Sequence, residues 1–207
     1  MGRLIDFFAA KAADRRARKQ IVMETERLIL RCWKVADAPA MYKYASDPDV
    51  GPRSGWLPHR SVSDSRGFIR YLIAETESYA VVLRETEEII GSIRLKVPKV
   101  RLEDLPESAV QLDLAYWLGK PHWGQGYIPE AAQALLRRGF ETLGCDVIWC
   151  DHYDFNVQSR RVIEKCGFRY QFTKPTTNLT GSTYDTLFYA MTREEWQNHD
   201  RILYSHQ

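Results

Sequence analysis

The 207-residue chain, with 44% hydrophobic and 27% charged residues, has an ordinary globular balance and is long enough to bury a core. Its net charge of +2 is too small to argue for a nucleic-acid partner. No apolar run approaches the roughly 20 residues of a membrane span and no secretory leader pattern is visible, so a cytoplasmic setting is expected. Cys32, Cys145, Cys150 and Cys166 show no Cys-x-x-Cys spacing and no accompanying His cluster. That argues against a metal site and for reduced, mostly buried thiols.

Residues 1–22 differ in character from the rest of the chain. Leu4, Ile5, Phe7 and Phe8 form an apolar patch, then Arg15, Arg16, Arg18 and Lys19 crowd into an alanine-rich stretch of helical propensity. A basic amphipathic helix suits a membrane surface or an acidic partner. The favoured alternative is a helix packed on the domain or on a second subunit, which would make a homodimer. The domain proper is expected to span residues 23–207.

Residues 27–33 read as a strand, and Asp37-Ala38-Pro39 opens a short helix. Ser61 with Asp64 caps a second helix over residues 63–77. Residues 79–83 and 89–95 form a hairpin across a charged turn, and residues 96–108 a polar loop. Trp56 and His59, between the helices, either line a substrate mouth or pack within a surface loop.

Residues 110–118 form a strand whose alternation puts Leu112, Leu114 and Tyr116 on one side and Asp113, Ala115 and Trp117 on the other. It runs into a turn where Gly124 and Gly126 leave the backbone open to close approach. A helix continues from there to about residue 143, with Pro129 tolerated in its first turn. A helix N-terminus preceded by bare amides is a phosphate site. A dinucleotide fold would need a third glycine where Pro129 stands, and a nucleoside-triphosphate loop would need Gly-Lys-Ser/Thr, so both readings fail.

Residues 147–151 read as the next strand, which makes a right-handed βαβ unit with parallel strands. Asn156 caps a helix that exits at Gly167, and residues 168–173 and 184–191 close the chain as an antiparallel pair.

The run Trp123-Gly-Gln-Gly-Tyr-Ile128 resembles the acyl-CoA pyrophosphate loop of GNAT acetyltransferases, written Gln/Arg-x-x-Gly-x-Gly/Ala. Here Trp123 stands for the usual Gln/Arg and Ile128 for the usual small residue. The Asn156-x-x-Ser159 helix ending at Gly167-Phe168 is similar to that family's CoA-side helix. The Trp-Gly-x-Gly-Tyr form and the tail ending at Glu195-Trp196 resemble the RimJ/RimL branch, which acetylates protein N-termini and other amines. The resemblance covers residues 24–198. It implies an α/β fold of about seven strands in a mixed sheet with flanking helices and a splayed parallel strand pair.

It also implies an acetyl-CoA-dependent N-acetyltransferase acting on an amine acceptor. Strand amides around Tyr116, Trp117 and Leu118 would bind the pantetheine arm or the oxyanion. Amides of Trp123, Gly124, Gln125, Gly126, Tyr127 and Ile128 would take the pyrophosphate. Many members carry a thiolate-protonating Tyr where this chain has Ile163; Ser159, one turn earlier, is the hydroxyl offered instead, unless it only bonds a helix carbonyl. Asn156 would cap its helix and touch pantetheine together. For the base, Asp113 stands first, His152 second and Asp185 third. The rival readings are a non-catalytic acyl-CoA-binding module of the same fold, then a glycine-loop nucleotide enzyme.

Overall fold

The computed structural model describes residues 21–75, 77–178 and 180–204, with side chains as far as residue 198. The expected N-terminal extension, residues 1–22, lies outside the described residues except for Ile21 and Val22.

One mixed sheet of eight strands organises the chain: β1 (Val22–Glu24), β2 (Leu28–Cys32), β3 (Glu77–Leu83), β4 (Ile89–Lys96), β5 (Gln111–Leu118), β6 (Val147–Tyr153), β7 (Arg169–Thr177) and β8 (Thr183–Thr192), in the order β1-β2-β3-β4-β5-β6-β8-β7. The strand beyond the expected seven is β1. Its three residues are too short to show alternation, and it pairs antiparallel with β2 from Val22↔Arg31 to Glu24↔Ile29. Val22 therefore belongs to the sheet rather than to an extension.

Among the described residues five α-helices flank the sheet: α1 (Ala38–Ala45), α2 (Val62–Ala74), α3 (Tyr127–Arg137), α4 (Val157–Lys165) and α5 (Arg193–Tyr204). On one face Ile128, Ala131, Ala132, Leu135 and Leu136 of α3 pack with Ile163 of α4, Trp196 of α5 and inward-facing Leu112 and Leu114. On the other, Met41 and Tyr44 of α1 and Ile69 and Leu72 of α2 pack with Ala80, Val82 and Trp117. Burying each large aliphatic side chain contributes about 1.5–3 kcal/mol, so both layers are held mainly by apolar contact.

Two details depart from the pattern read in the sequence. After Arg137 the helix widens into a π-type turn, Arg138–Thr142, and Arg138 reaches Glu77 through two hydrogen bonds of 2.6 and 2.9 Å. The loop after β4 is not merely polar. Val100, Leu102 and Leu105 cover Trp149 and Phe188, and the buried Gln111 side chain ties Leu102 to Trp149.

Strands β5 and β6 are parallel over three rungs, Gln111↔Val147, Leu112↔Ile148 and Asp113↔Trp149. Beyond Asp113 they part, while β5 stays paired with β4 as far as Leu118↔Gly91. The gap between residues 114–118 and the end of β6 is the feature around which the site forms. Among the described residues no helix is long and apolar enough to cross a membrane.

Candidate active site

The strand gap opens into a cavity of about 600 Å³. Its walls bring together nearly all the residues singled out from the sequence: Asp113, Tyr116, Trp117, Leu118, Trp123, Gly124, Gly126, Tyr127, Ile128, His152, Asn156 and Ser159. Gln125 does not reach the wall. Its carbonyl accepts from Arg27 at 3.0 Å and its side chain donates to the Pro121 carbonyl. Asp185 is also off the wall, paired with Pro175 towards the start of β8. Neither Trp56 nor His59 lines the cavity; they pack on each other and on Phe68, and His59 Nδ1 meets Ser65 at 2.8 Å.

The turn that enters α3 depends on its glycines. Gly124 and Gly126 have φ of 76° and 81°, the left-handed region that side chains with a Cβ rarely adopt. With the chain bent in this way, the N–H groups of residues 124–128 have no acceptor among the described residues and gather at the positive end of α3. Glu130 anchors the turn from below. Its carboxylate accepts from the Thr25 hydroxyl (2.6 Å), the Arg27 amide (2.8 Å) and the Arg27 guanidinium (2.7 Å). Burial alone would raise the Glu130 pKa, but these donors hold it below the usual value. Arg27 also lies over the Tyr127 ring, 4.6 Å from its centroid, which adds positive charge beside the bare amides.

Backbone direction along β5 decides which amides face the gap. Leu114 C=O accepts from the Cys150 thiol across it, and Leu118 C=O accepts from the Trp123 indole at 2.8 Å, whereas the Gly119 N–H donates to Ile90 on the β4 side. Peptide groups alternate sides along a strand, so the Tyr116 amide faces the gap and the Trp117 amide is spent on β4. Trp117 thus offers the cavity a side chain and not a free amide. Trp117 is 6% exposed and its indole N–H has no acceptor among the described residues.

On the α3 and α4 side, the Tyr116 hydroxyl lies 2.8 Å from Ser159 Oγ and 3.3 Å from the Ser159 carbonyl. Desolvation pushes the Tyr116 phenol well above 10, so it keeps its proton. Asn156 is occupied at both ends. Its Oδ1 accepts the Ser159 amide at 3.2 Å and its Nδ2 donates to the Arg53 carbonyl at 3.1 Å. It caps α4 and ties that helix to the loop after α1.

On the α1 and α2 side stands a charged cluster that sequence reasoning found only in part. Asp113 is 3% exposed and receives Lys96 Nζ at 2.5 Å; Asp151 receives Lys99 at 3.4 Å. Burial pushes the Asp113 carboxyl up, Lys96 pulls it back and Asp151 pushes it further, for a net value of about 6. His152 is less available for proton transfer. The Tyr153 carbonyl, 2.7 Å from Nδ1, accepts only, so Nδ1 carries the proton and Nε2 takes the Tyr189 hydroxyl at 3.3 Å. Arg53, Arg94, Lys96, Asp151 and Tyr153 also line the cavity and were not singled out. The alternation of β4 puts Ser92, Arg94 and Lys96 on one face, but only the β4–β5 register brings them opposite Asp113 and Trp117.

The divergent parallel pair and the bare amides at the start of α3 thus share one cavity. The model of the acetyltransferase (GNAT) domain matches residues 27–169, and the chain belongs to that family. It is 29% identical over 177 residues to the uncharacterized N-acetyltransferase YnaD of Bacillus subtilis (strain 168), covering 83% of this chain and 97% of YnaD. Among solved structures it resembles a GNAT-family acetyltransferase from Bacillus anthracis, with TM-score 0.72, 24% identity and coverage of 84% and 99% of the two chains. It also resembles the microcin C7 self-immunity acetyltransferase MccE, solved with acetyl-CoA and AMP, with TM-score 0.65, 17% identity and coverage of 81% and 93%.

Proposed function

We propose that this protein transfers the acetyl group of acetyl-CoA to an amine. The observation that carries the reading is the joint between β5 and β6: the strands separate just after Asp113, and the turn at residues 124–128 presents unpaired amides at the end of that gap. The Tyr116 amide and the start of α3 would hold the pantetheine arm and the pyrophosphate respectively. No metal is invoked in this reading. The Trp-Gly-x-Gly-Tyr turn further supports a RimJ/RimL-like member.

In this mechanism the amine attacks the thioester carbonyl from the α1 and α2 side. Asp113 takes the amine proton, directly or through water; a carboxyl titrating near 6 is ionised at neutral pH and still basic enough to act. The tetrahedral oxyanion is met by a strand amide in the gap. On collapse, the C–S bond breaks and the thiolate takes a proton from Ser159 Oγ, which water returns to the serine in the same step. Tyr116 orients that hydroxyl: by donating its own proton to Oγ it leaves the serine hydrogen for the sulfur.

The test is thiol release from acetyl-CoA against a panel of amines, with the acetylated product identified by mass. Product formation with one acceptor class is the expected result. CoA binding without thiol release to any amine would instead make the chain a non-catalytic acyl-CoA-binding module.

A further inference from the structure

The sheet face under α1 and α2 carries two adjacent rows of side chains. On β4 these are Ser92, Arg94 and Lys96; on β5 they are Trp117, Ala115 and Asp113, and the register pairs them in that order. Ala115 is the small residue of the set and leaves a recess, with Asp113 and Trp117 on either side along the strand and Arg94 directly across. All but Ser92 line the cavity.

The charges in this recess do not balance. Lys96 is paired with Asp113 and Lys99 with Asp151. Arg94 has no carboxylate partner among the described residues. Its guanidinium meets only the Tyr71 hydroxyl at 3.2 Å and that ring's face at 5.5 Å. Two rungs along, the Trp117 indole N–H is fully buried with no acceptor among the described residues, Ser92 being taken by Trp33 and the Tyr79 carbonyl. Arg94 lines the cavity two rungs from the Lys96–Asp113 pair, so its charge is free to be offset by an acceptor from outside the chain.

We infer that the amine substrate carries an anionic group, a carboxylate or a phosphate, and that Arg94 holds this group while the amine lies beside Asp113. The inference rests on the acetyltransferase reading and adds the substrate class. Two residues along a strand span about 7 Å, so amine and anion are separated by a few bonds. Polycationic amines would meet Arg94 with like charge and are poor substrates.

The experiment compares, on the full chain, L-amino acids with their carboxamides, aminoethyl phosphate and spermidine. We expect kcat/KM for one anionic class to exceed that of the matched uncharged amine at least about tenfold; whether amino acids or aminoethyl phosphate lead identifies the anion. In Arg94→Gln the ratio should collapse, and in Arg94→Lys most of it should return. Spermidine or the carboxamides turning over as well as the acids, or an unchanged ratio in Arg94→Gln, would overturn the inference. If no amine is acetylated at all, the acetyltransferase reading has failed separately. Calorimetric binding of the same compounds to the CoA-loaded protein then decides: binding that is lost in Arg94→Gln supports the recess as an anion site, and no binding overturns it.

Discussion

The two walls of the cavity are made of different materials. The wall at the turn into α3 is backbone: amides of residues 124–128 freed by two left-handed glycines and braced by the Glu130–Arg27 contact. The opposite wall is side chain: Asp113, Arg94, Lys96, Trp117 and Asp151, drawn from three strands. On the proposed reading the backbone wall would recognise what every acyl-CoA shares and would tolerate change in most side chains around it. A side-chain wall can be altered one residue at a time, which is where specificity and proton transfer would reside. Substitutions on the two walls should therefore separate into effects on cosubstrate binding and effects on turnover.

The largest effect is expected at Asp113. If its carboxylate takes the amine proton, Asp113→Asn lowers kcat/KM by about 10²-fold or more and removes the acidic limb of the pH profile. The sign comes from the raised value near 6: below it Asp113 is protonated and cannot accept, so wild-type activity falls as pH drops through about 6. Folding pulls the other way. A carboxyl whose folded value lies above its unfolded value stabilises the fold below the unfolded value, and that contribution is lost as pH rises through about 6. A neutral-pH melting curve of the variant separates lost chemistry from lost fold, since Lys96 would then be left without its partner. An unchanged acidic limb would remove Asp113 from the mechanism.

Next comes the pair at the boundary of the two walls. Ser159→Ala should lower kcat by about 10²-fold with acetyl-CoA affinity nearly unchanged, as expected when an interaction acts mainly in the transition state. Tyr116→Phe, which leaves the serine in place and removes its orienting phenol, should show a smaller loss of the same kind. A fall in affinity with kcat preserved would make Ser159 a pantetheine contact and not a proton donor. Single-turnover kinetics with equilibrium binding of acetyl-CoA distinguishes the outcomes.

The difference between the walls also explains what was legible in the sequence. Gly124, Gly126 and Pro129 announce a backbone device locally, and the turn, α3 and the βαβ connection all stand where the pattern put them. Asn156 likewise declared itself as a cap through its position before a helical period. Asp113 was found because it sits on the strand feeding the turn. Arg94 and Lys96 were not, because their relation to Asp113 exists only through strand register, a long-range fact that alternation alone does not carry. The phenol beside Ser159 was missed for the same reason: Tyr116 and Ser159 lie 43 positions apart. The Trp123 indole that closes the end of β5 is local, but nothing in the spacing says that it turns back on Leu118.

On the backbone wall the expected effect is moderate. Gly126→Val should raise the CoA dissociation constant about tenfold, roughly 1.4 kcal/mol, while turnover at saturating acetyl-CoA changes less. Space is not the obstacle, since a Cβ there would lie 3.5 Å from the Arg27 guanidinium. The obstacle is φ of 81°, which a β-branched residue resists, so the turn relaxes and the amides lose their common direction. Isothermal titration with CoA reads the change directly. Unchanged affinity in a folded variant would mean that the turn does not bind the pyrophosphate and that the backbone wall has another purpose.

The smallest effect is expected from removing residues 1–20. Every contact by which the N-terminal part of the described chain braces the backbone wall begins at Thr25: its hydroxyl and the amide and guanidinium of Arg27 meet Glu130, and Arg27 also meets Gln125. β1 needs Val22 for its first rung with Arg31, and Ile21 packs on the core, so a truncation that respects the sheet starts at Ile21 and not at Met23. Such a chain should bind CoA within about twofold of the full protein, a difference of roughly 0.4 kcal/mol. Starting at Met23 instead removes an edge rung and should cost stability before it costs affinity, seen as a lower melting temperature with the same titration endpoint. If the chain beginning at Ile21 is folded but no longer binds CoA, the first twenty residues contribute to the site itself. The backbone wall would then be larger than the turn and its Glu130 brace.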